Sequence, residues 1–113
     1  MSARLPSRLL VTALMRRVQS EGGFATVVQS GDADAGAIML QCTKMGRFAH
    51  LLERRMAMSG DYQWSVIEAA ETKDPAQLSE YLAKILGNDP DMWLVELDIA
   101  NPERFVAELG TIG

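Results

Sequence analysis

The segment Gly31-Asp32-Ala33-Asp34-Ala35-Gly36-Ala37-Ile38-Met39-Leu40-Gln41-Cys42 carries two signals in succession. Its first half is turn chemistry, two aspartates set between glycines. Its second half opens a strand over residues 37–43, with Ile38, Leu40 and Cys42 on one face and Ala37 and Met39 on the other. Upstream, residues 24–29 are rich in β-branched side chains, with Phe24, Thr26 and Val28 on one face and Ala25 and Val27 on the other. The sequence therefore reads as two strands joined by an acidic connection over residues 30–36. That connection exceeds a two-residue hairpin turn yet stays within the usual range for sheets.

Working outward, residues 7–21 read as a helix. Ser7 is placed to cap its first turn, and Leu10, Leu14 and Val18 recur every four residues. Gly22-Gly23 ends it. Lys44-Met45-Gly46 is a second turn, and residues 48–56 read as a third strand. A helix competes there, because Leu51, Leu52, Glu53 and Arg54 all favour one. Residues 62–69 form a fourth strand after Ser59-Gly60-Asp61, which suggests an antiparallel meander. Asp74-Pro75-Ala76-Gln77 is the clearest helix start in the chain, and Leu78, Tyr81, Leu82 and Ile85 give that helix one apolar face. Gly87 is read as its stop. Residues 91–99 form a fifth strand, with Trp93, Val95, Leu97 and Ile99 pointing one way and Met92, Leu94, Glu96 and Asp98 the other. Asn101-Pro102 starts a short last helix through Phe105, Val106 and Leu109, ending at Gly110.

The fold expected is one α+β domain over residues 1–113: a mostly antiparallel sheet of about five strands, an N-terminal helix, a helix before the last strand and a short C-terminal helix. The helices are expected on one sheet face, and the fifth strand beside the first.

The 113 residues suffice for one core without disulfide or metal, and the 48% apolar content suits a globular chain. A net charge of −4 speaks against nucleic acid and against an anionic membrane surface. The single cysteine, Cys42, excludes an internal disulfide and favours a reducing compartment. Arg4 and Arg8 before Leu9-Leu10-Val11 hint at a signal peptide, but Thr12 breaks the apolar run and Arg16-Arg17 follows it. The expectation is a cytoplasmic protein.

Gly31-Asp32-Ala33-Asp34-Ala35-Gly36, Arg16-Arg17-Val18 with Gly22-Gly23-Phe24, and Asp89-Pro90-Asp91-Met92-Trp93-Leu94-Val95-Glu96 together resemble a family of small bacterial proteins, mostly alphaproteobacterial. That family is catalogued as a domain of unknown function. The resemblance spans nearly the whole chain and implies no activity, cofactor or catalytic residue.

Each candidate for chemistry has a structural counterpart. Asp32 and Asp34 have the spacing to hold a hard cation, with Glu53 as a third carboxylate across the sheet. A calcium loop counted from Asp32 fails, because its fifth, sixth and twelfth positions hold Gly36, Ala37 and Thr43. The structural reading is a turn in which aspartate caps backbone N–H groups and glycine supplies positive φ. Glu53 with Arg54 and Arg55 fits a metal-dependent nuclease pattern or a solvated strand face. His50, the only histidine, lacks a nucleophile to activate, and Cys42 reads as a small buried hydrophobe. Arg16, Arg17, Arg54 and Arg55 would bind nucleic acid only if they cluster in space. Trp64, Trp93 and the methionines Met39, Met45, Met56, Met58 and Met92 read mainly as core. Met92 and Leu94, if turned outward with Met39 or Met56, would leave an apolar patch. Phosphate-binding glycine loops and serine elbows are absent from the sequence.

The preferred reading is a non-enzymatic binding or protein-interaction module, self-associating through an apolar sheet face, with no catalytic residue, cofactor or metal. A homo-oligomer or a protein partner is expected. The alternative is a metal-dependent hydrolase using Asp32, Asp34 and Glu53.

Overall fold

The computed structural model describes residues 5–109. These residues form, in chain order, α1 (Ser7–Ser20), β1 (Phe24–Gln29), β2 (Ile38–Lys44), β3 (Arg47–Met56), β4 (Tyr62–Val66), α2 (Glu68–Glu71), α3 (Pro75–Asn88), β5 (Trp93–Asp98) and α4 (Pro102–Leu109). The five strands make one sheet in the order β1-β5-β2-β3-β4. β5 runs antiparallel to β1 and parallel to β2.

The expected meander holds from β2 to β4 and fails between β1 and β2, where β5 inserts. The reason lies in side-chain faces. A strand apolar on both faces belongs where both are covered. On β5, Trp93, Val95 and Leu97 enter one core while Leu94 and the neighbouring Met92 enter another. β1 keeps Phe24, Thr26 and Val28 exposed and takes the edge.

Helices cover both faces of the sheet, correcting the expectation of one. Leu10, Leu14 and Val18 of α1 and Phe105 and Leu109 of α4 pack with Ile38, Leu40, Val95 and Leu97. Ala70 of α2 and Leu78 and Leu82 of α3 pack with Met39, Leu51, Met92 and Leu94 on the other side. The apolar patch foreseen around Met39, Met92 and Leu94 is therefore under α3. The fourth strand ends at Val66 instead of residue 69, and Glu68-Ala69-Ala70-Glu71 leaves the sheet as one helical turn that buries Ala70. The fifth strand likewise starts at Trp93 instead of residue 91.

Residues 48–56 are strand, because β3 is paired on both sides, with β2 and with β4. A register shift opposite Cys42 and Thr43 breaks its alternation. His50 pairs with Cys42, on the α1 side, whereas Phe48 pairs with Thr43 and packs toward α3. Strict alternation along residues 48–56 would put both on one face. The cap of α3 is as expected: Asp74 Oδ1 accepts from the Gln77 N–H and Gln77 Oε1 from the Asp74 N–H, at 2.8 and 3.0 Å. Gly87 does not stop α3, which runs one residue past it to Asn88, short of Pro90. Gly110, the expected end of the last helix, lies outside the described residues. Among the described residues no helix is long and apolar enough to cross a membrane.

Candidate functional site

The acidic connection is a structural junction. It must cross the end of the inserted strand, so it spans two strand spacings, about 9.6 Å. It does so by folding around residue 91. The Asp32 N–H donates to the Asp91 carbonyl at 2.9 Å, the Trp93 indole Nε1 donates to the Asp32 carbonyl at 2.8 Å, and the Trp93 N–H donates to the Ala37 carbonyl at 2.8 Å. A Cβ on Gly31 or Gly36 would lie 2.0 or 2.2 Å from the Asp91 oxygen. Close approach, not positive φ, is what requires these two glycines; among the described residues the glycines with positive φ are Gly22, Gly46 and Gly60.

The same loop caps α1. The Ser7 and Arg8 N–H groups donate to the carbonyls of Asp34 and Ala33 at 3.0 and 2.9 Å. Ser7, expected to cap with its hydroxyl, instead donates that hydroxyl to the Gly36 carbonyl at 2.6 Å. Backbone oxygens satisfy the orphan donors that a side chain was expected to take. The Asp32 carboxylate accepts from the Ala35 N–H, three residues on, at 2.8 Å and so holds the turn locally.

Glu53 is on β3 opposite Met39, buried, with Oε1 2.6 Å from Arg55 Nε. Among the described residues no three of His, Cys, Asp and Glu are grouped to hold an ion, so Asp32, Asp34 and Glu53 do not form one site. Arg54 is buried with its guanidinium 3.9 Å from the centre of the Tyr62 ring, on the face opposite to Arg55. Arg17 pairs with Glu21 and Glu108 and stands over Phe105. Arg54 and Arg55 thus point apart, and the four arginines make no single basic surface. His50 touches Glu71 through Nδ1 at 2.9 Å and Glu103 through Nε2 at 3.5 Å, tying α2 and α4 to β3. Cys42 is fully buried, and burial pushes its thiol up to about 12.

A concave feature lies away from these residues. A groove of about 770 Å³ runs between α3 and the sheet face beside β1. Leu78, Leu82 and Leu86 of α3 form its apolar wall, with Val28 and Leu94. Gln41 and Glu96 lie on its floor, as neighbours in register across β2 and β5. Among the described residues neither side chain takes a hydrogen bond or ion pair. Beside the groove, β1 leaves its edge open, with Phe24 at 74% and Val28, at the groove's rim, at 55% exposure. The sequence signal for this site was the alternation of 24–29, which put Phe24, Thr26 and Val28 on one face. What was missing was that β1 is the edge strand.

Comparison with known proteins agrees with this architecture. A crystal structure of a DUF1491 family protein from Caulobacter crescentus CB15 superposes with a TM-score of 0.73 at 31% identity, over 87% of this chain and 91% of that one. An NMR structure of a DUF1491 family protein from the same organism gives 0.75 at 28% identity, over 88% and 90%. The solution structure of protein Atu0922 from A. tumefaciens gives 0.70 at 28% identity, over 88% and 89%. No curated protein matches the chain. Residues 5–107 match the family described as "Protein of unknown function (DUF1491)", and the chain belongs to that family.

Proposed function

We propose that this protein is a non-enzymatic interaction module that takes an extended segment of a partner polypeptide along β1. One observation carries the reading: β1 is an edge strand, Phe24-Ala25-Thr26-Val27-Val28-Gln29, without a charge or a proline, and it shows Phe24 and Val28 to solvent. Edges are ordinarily blunted by charge, proline, bulges or cover, because their free N–H and C=O groups template another strand. β1 has only a register shift between Val27 and Gln29, which leaves Phe24 to Val27 regular. Strand addition of this kind takes affinity from main-chain hydrogen bonds and specificity from alternate side chains. The groove supports the reading by lying on the side of β1 where those side chains would enter.

Self-association through the same edge is the second reading, favoured by the uncharged, self-compatible face of Phe24, Thr26 and Val28. Sedimentation over a wide concentration range, with exchange read at the β1 amides that point away from β5, tests both. Protection that rises with concentration in wild type and is lost in Thr26→Pro identifies a second copy. Open β1 amides at all concentrations leave the edge to a different partner. Outward-pointing β1 amides already protected in the dilute monomer would sink the proposal, whereas those bonded to β5 are protected in any case.

A further inference from the structure

We infer that the segment accepted by β1 carries a basic side chain, and that its cationic group seats on Glu96 in the groove. This rests on the proposed function and names the chemistry of the partner. Thr26 is in register with Glu96, and Glu96 with Gln41, so the three lie in one row across β1, β5 and β2. Trp93, Val95 and Leu97 of the same strand pack on the opposite face, which turns Glu96 toward the groove it lines. There the carboxylate is half-buried beside the apolar wall of Leu82 and Leu86; Arg47 and Lys73 also line the groove, but among the described residues neither forms an ion pair with it. A carboxylate so placed gains from a cation that arrives with its own apolar stem.

Register decides which residue brings it. A strand added outside β1 places one side chain opposite Thr26 on the groove side, about 9.6 Å from β5, and its neighbours two residues away opposite Phe24 and Val28. Thr26 is short enough to let a long side chain pass over it to Glu96. An arginine or lysine stem meets that need; the flanking alternate positions face Phe24 and Val28 and are apolar. A second copy of the chain does not satisfy Glu96, because residues 24–29 contain no basic residue.

The test uses the whole chain, labelled for amide NMR, and three capped peptides that differ only at the centre: Thr-Val-Thr-Arg-Thr-Val-Thr and its Gln and Glu versions. The Arg peptide is expected to shift the amides of Ala25 to Val27 with at least about tenfold (~1.4 kcal/mol) tighter binding than the Gln peptide, and the Glu peptide to be weakest. Glu96→Gln should remove the difference between Arg and Gln peptides while leaving Gln-peptide binding intact. Thr26→Lys, which sets a cation beside Glu96 within the chain, should remove it too. Equal binding of Arg and Gln peptides to wild type would overturn the basic-residue inference and leave strand addition standing. No shift at β1 with any peptide would overturn both. Amide spectra of the two variants, matching wild type away from the groove, distinguish a lost contact from a lost fold.

Discussion

The indole Nε1 of Trp93 donates to the backbone carbonyl of Asp32 at 2.8 Å, so the inserted strand is bonded by its first side chain to the loop that crosses its end. Trp93→Phe keeps the ring in the core and removes the donor. Its expected cost is about 1–2 kcal/mol, the penalty for a partly buried carbonyl that loses its partner. Asp32→Asn keeps the carbonyl and an acceptor for the Ala35 N–H, and should change stability by less than about 0.5 kcal/mol. Urea unfolding of the two variants ranks them. The double variant Asp32→Asn/Asp34→Asn should melt with the same response to magnesium, manganese or calcium as wild type. A metal-induced rise in Tm lost in the double variant would return the loop to the ion-site reading.

Glycine substitutions separate close approach from helix propensity. Gly31→Ala and Gly36→Ala drive a methyl into the Asp91 carbonyl, 2.0 and 2.2 Å from the new Cβ. Backbone cannot swing aside as a side chain can, so each should cost about 3 kcal/mol or more. Gly87→Ala has the opposite sign. The position is helical, a Cβ there meets nothing within 4 Å, and alanine narrows the unfolded ensemble. A gain of about 0.5–1 kcal/mol is expected. Thermal unfolding of the three variants checks both signs at once.

Periodicity made most of this fold legible. The two faces of 91–99 and the Asp74–Gln77 cap were read from spacing alone, and both hold in the structure. Non-local facts were not legible. Nothing in Gly31 to Gly36 says that a strand sixty residues later passes between its two neighbours. A loop of this length where a tight hairpin would serve was the one available hint. The turn residues were rightly seen as special, but the physical cause was contact with Asp91, which only the assembled sheet supplies. Edge status is non-local in the same way. Phe24, Thr26 and Val28 were placed on one face from sequence, but their exposure depends on which strand lies outermost and where α3 stops covering.

Cys42 should be chemically silent in the folded protein. It is buried at 0% exposure, and burial holds its thiol near 12, while thiolate is the reacting form. A thiol reagent such as Ellman's should therefore label native protein only at the rate of unfolding, and label the one thiol per chain at once in denaturant. Rapid labelling of the native protein would place Cys42 in reach of solvent and reopen a chemical role for it. Cys42→Ala should cost about 1 kcal/mol as a small cavity between Leu40 and its neighbours.

The turn between β2 and β3 predicts a pH effect. Met45 and Gly46 both have positive φ, 51° and 81°, the geometry of a primed hairpin turn. Their N–H groups donate to Oδ1 and Oδ2 of Asp98, at 3.1 and 2.9 Å, binding the turn to the end of β5. The Gly46 N–H, against the opposing effect of burial and with help from the Met45 N–H and the Thr43 side chain, holds the Asp98 carboxyl below its ordinary range. The unfolded chain therefore takes up this proton at higher pH than the folded one. The stabilisation is complete above the unfolded value, about 3.9, and is lost as pH falls through the lower folded value. Asp98→Asn should cost about 1 kcal/mol near pH 7, a modest figure because the site is partly solvated. The deficit should shrink as pH falls through the lowered folded value, where the wild-type carboxyl becomes neutral as well. Met45→Asn should gain up to about 1 kcal/mol, since asparagine tolerates positive φ better than methionine. Urea unfolding of wild type and Asp98→Asn across the acid range decides the matter: a deficit that stays constant with pH would mean that the carboxylate charge contributes nothing to the turn.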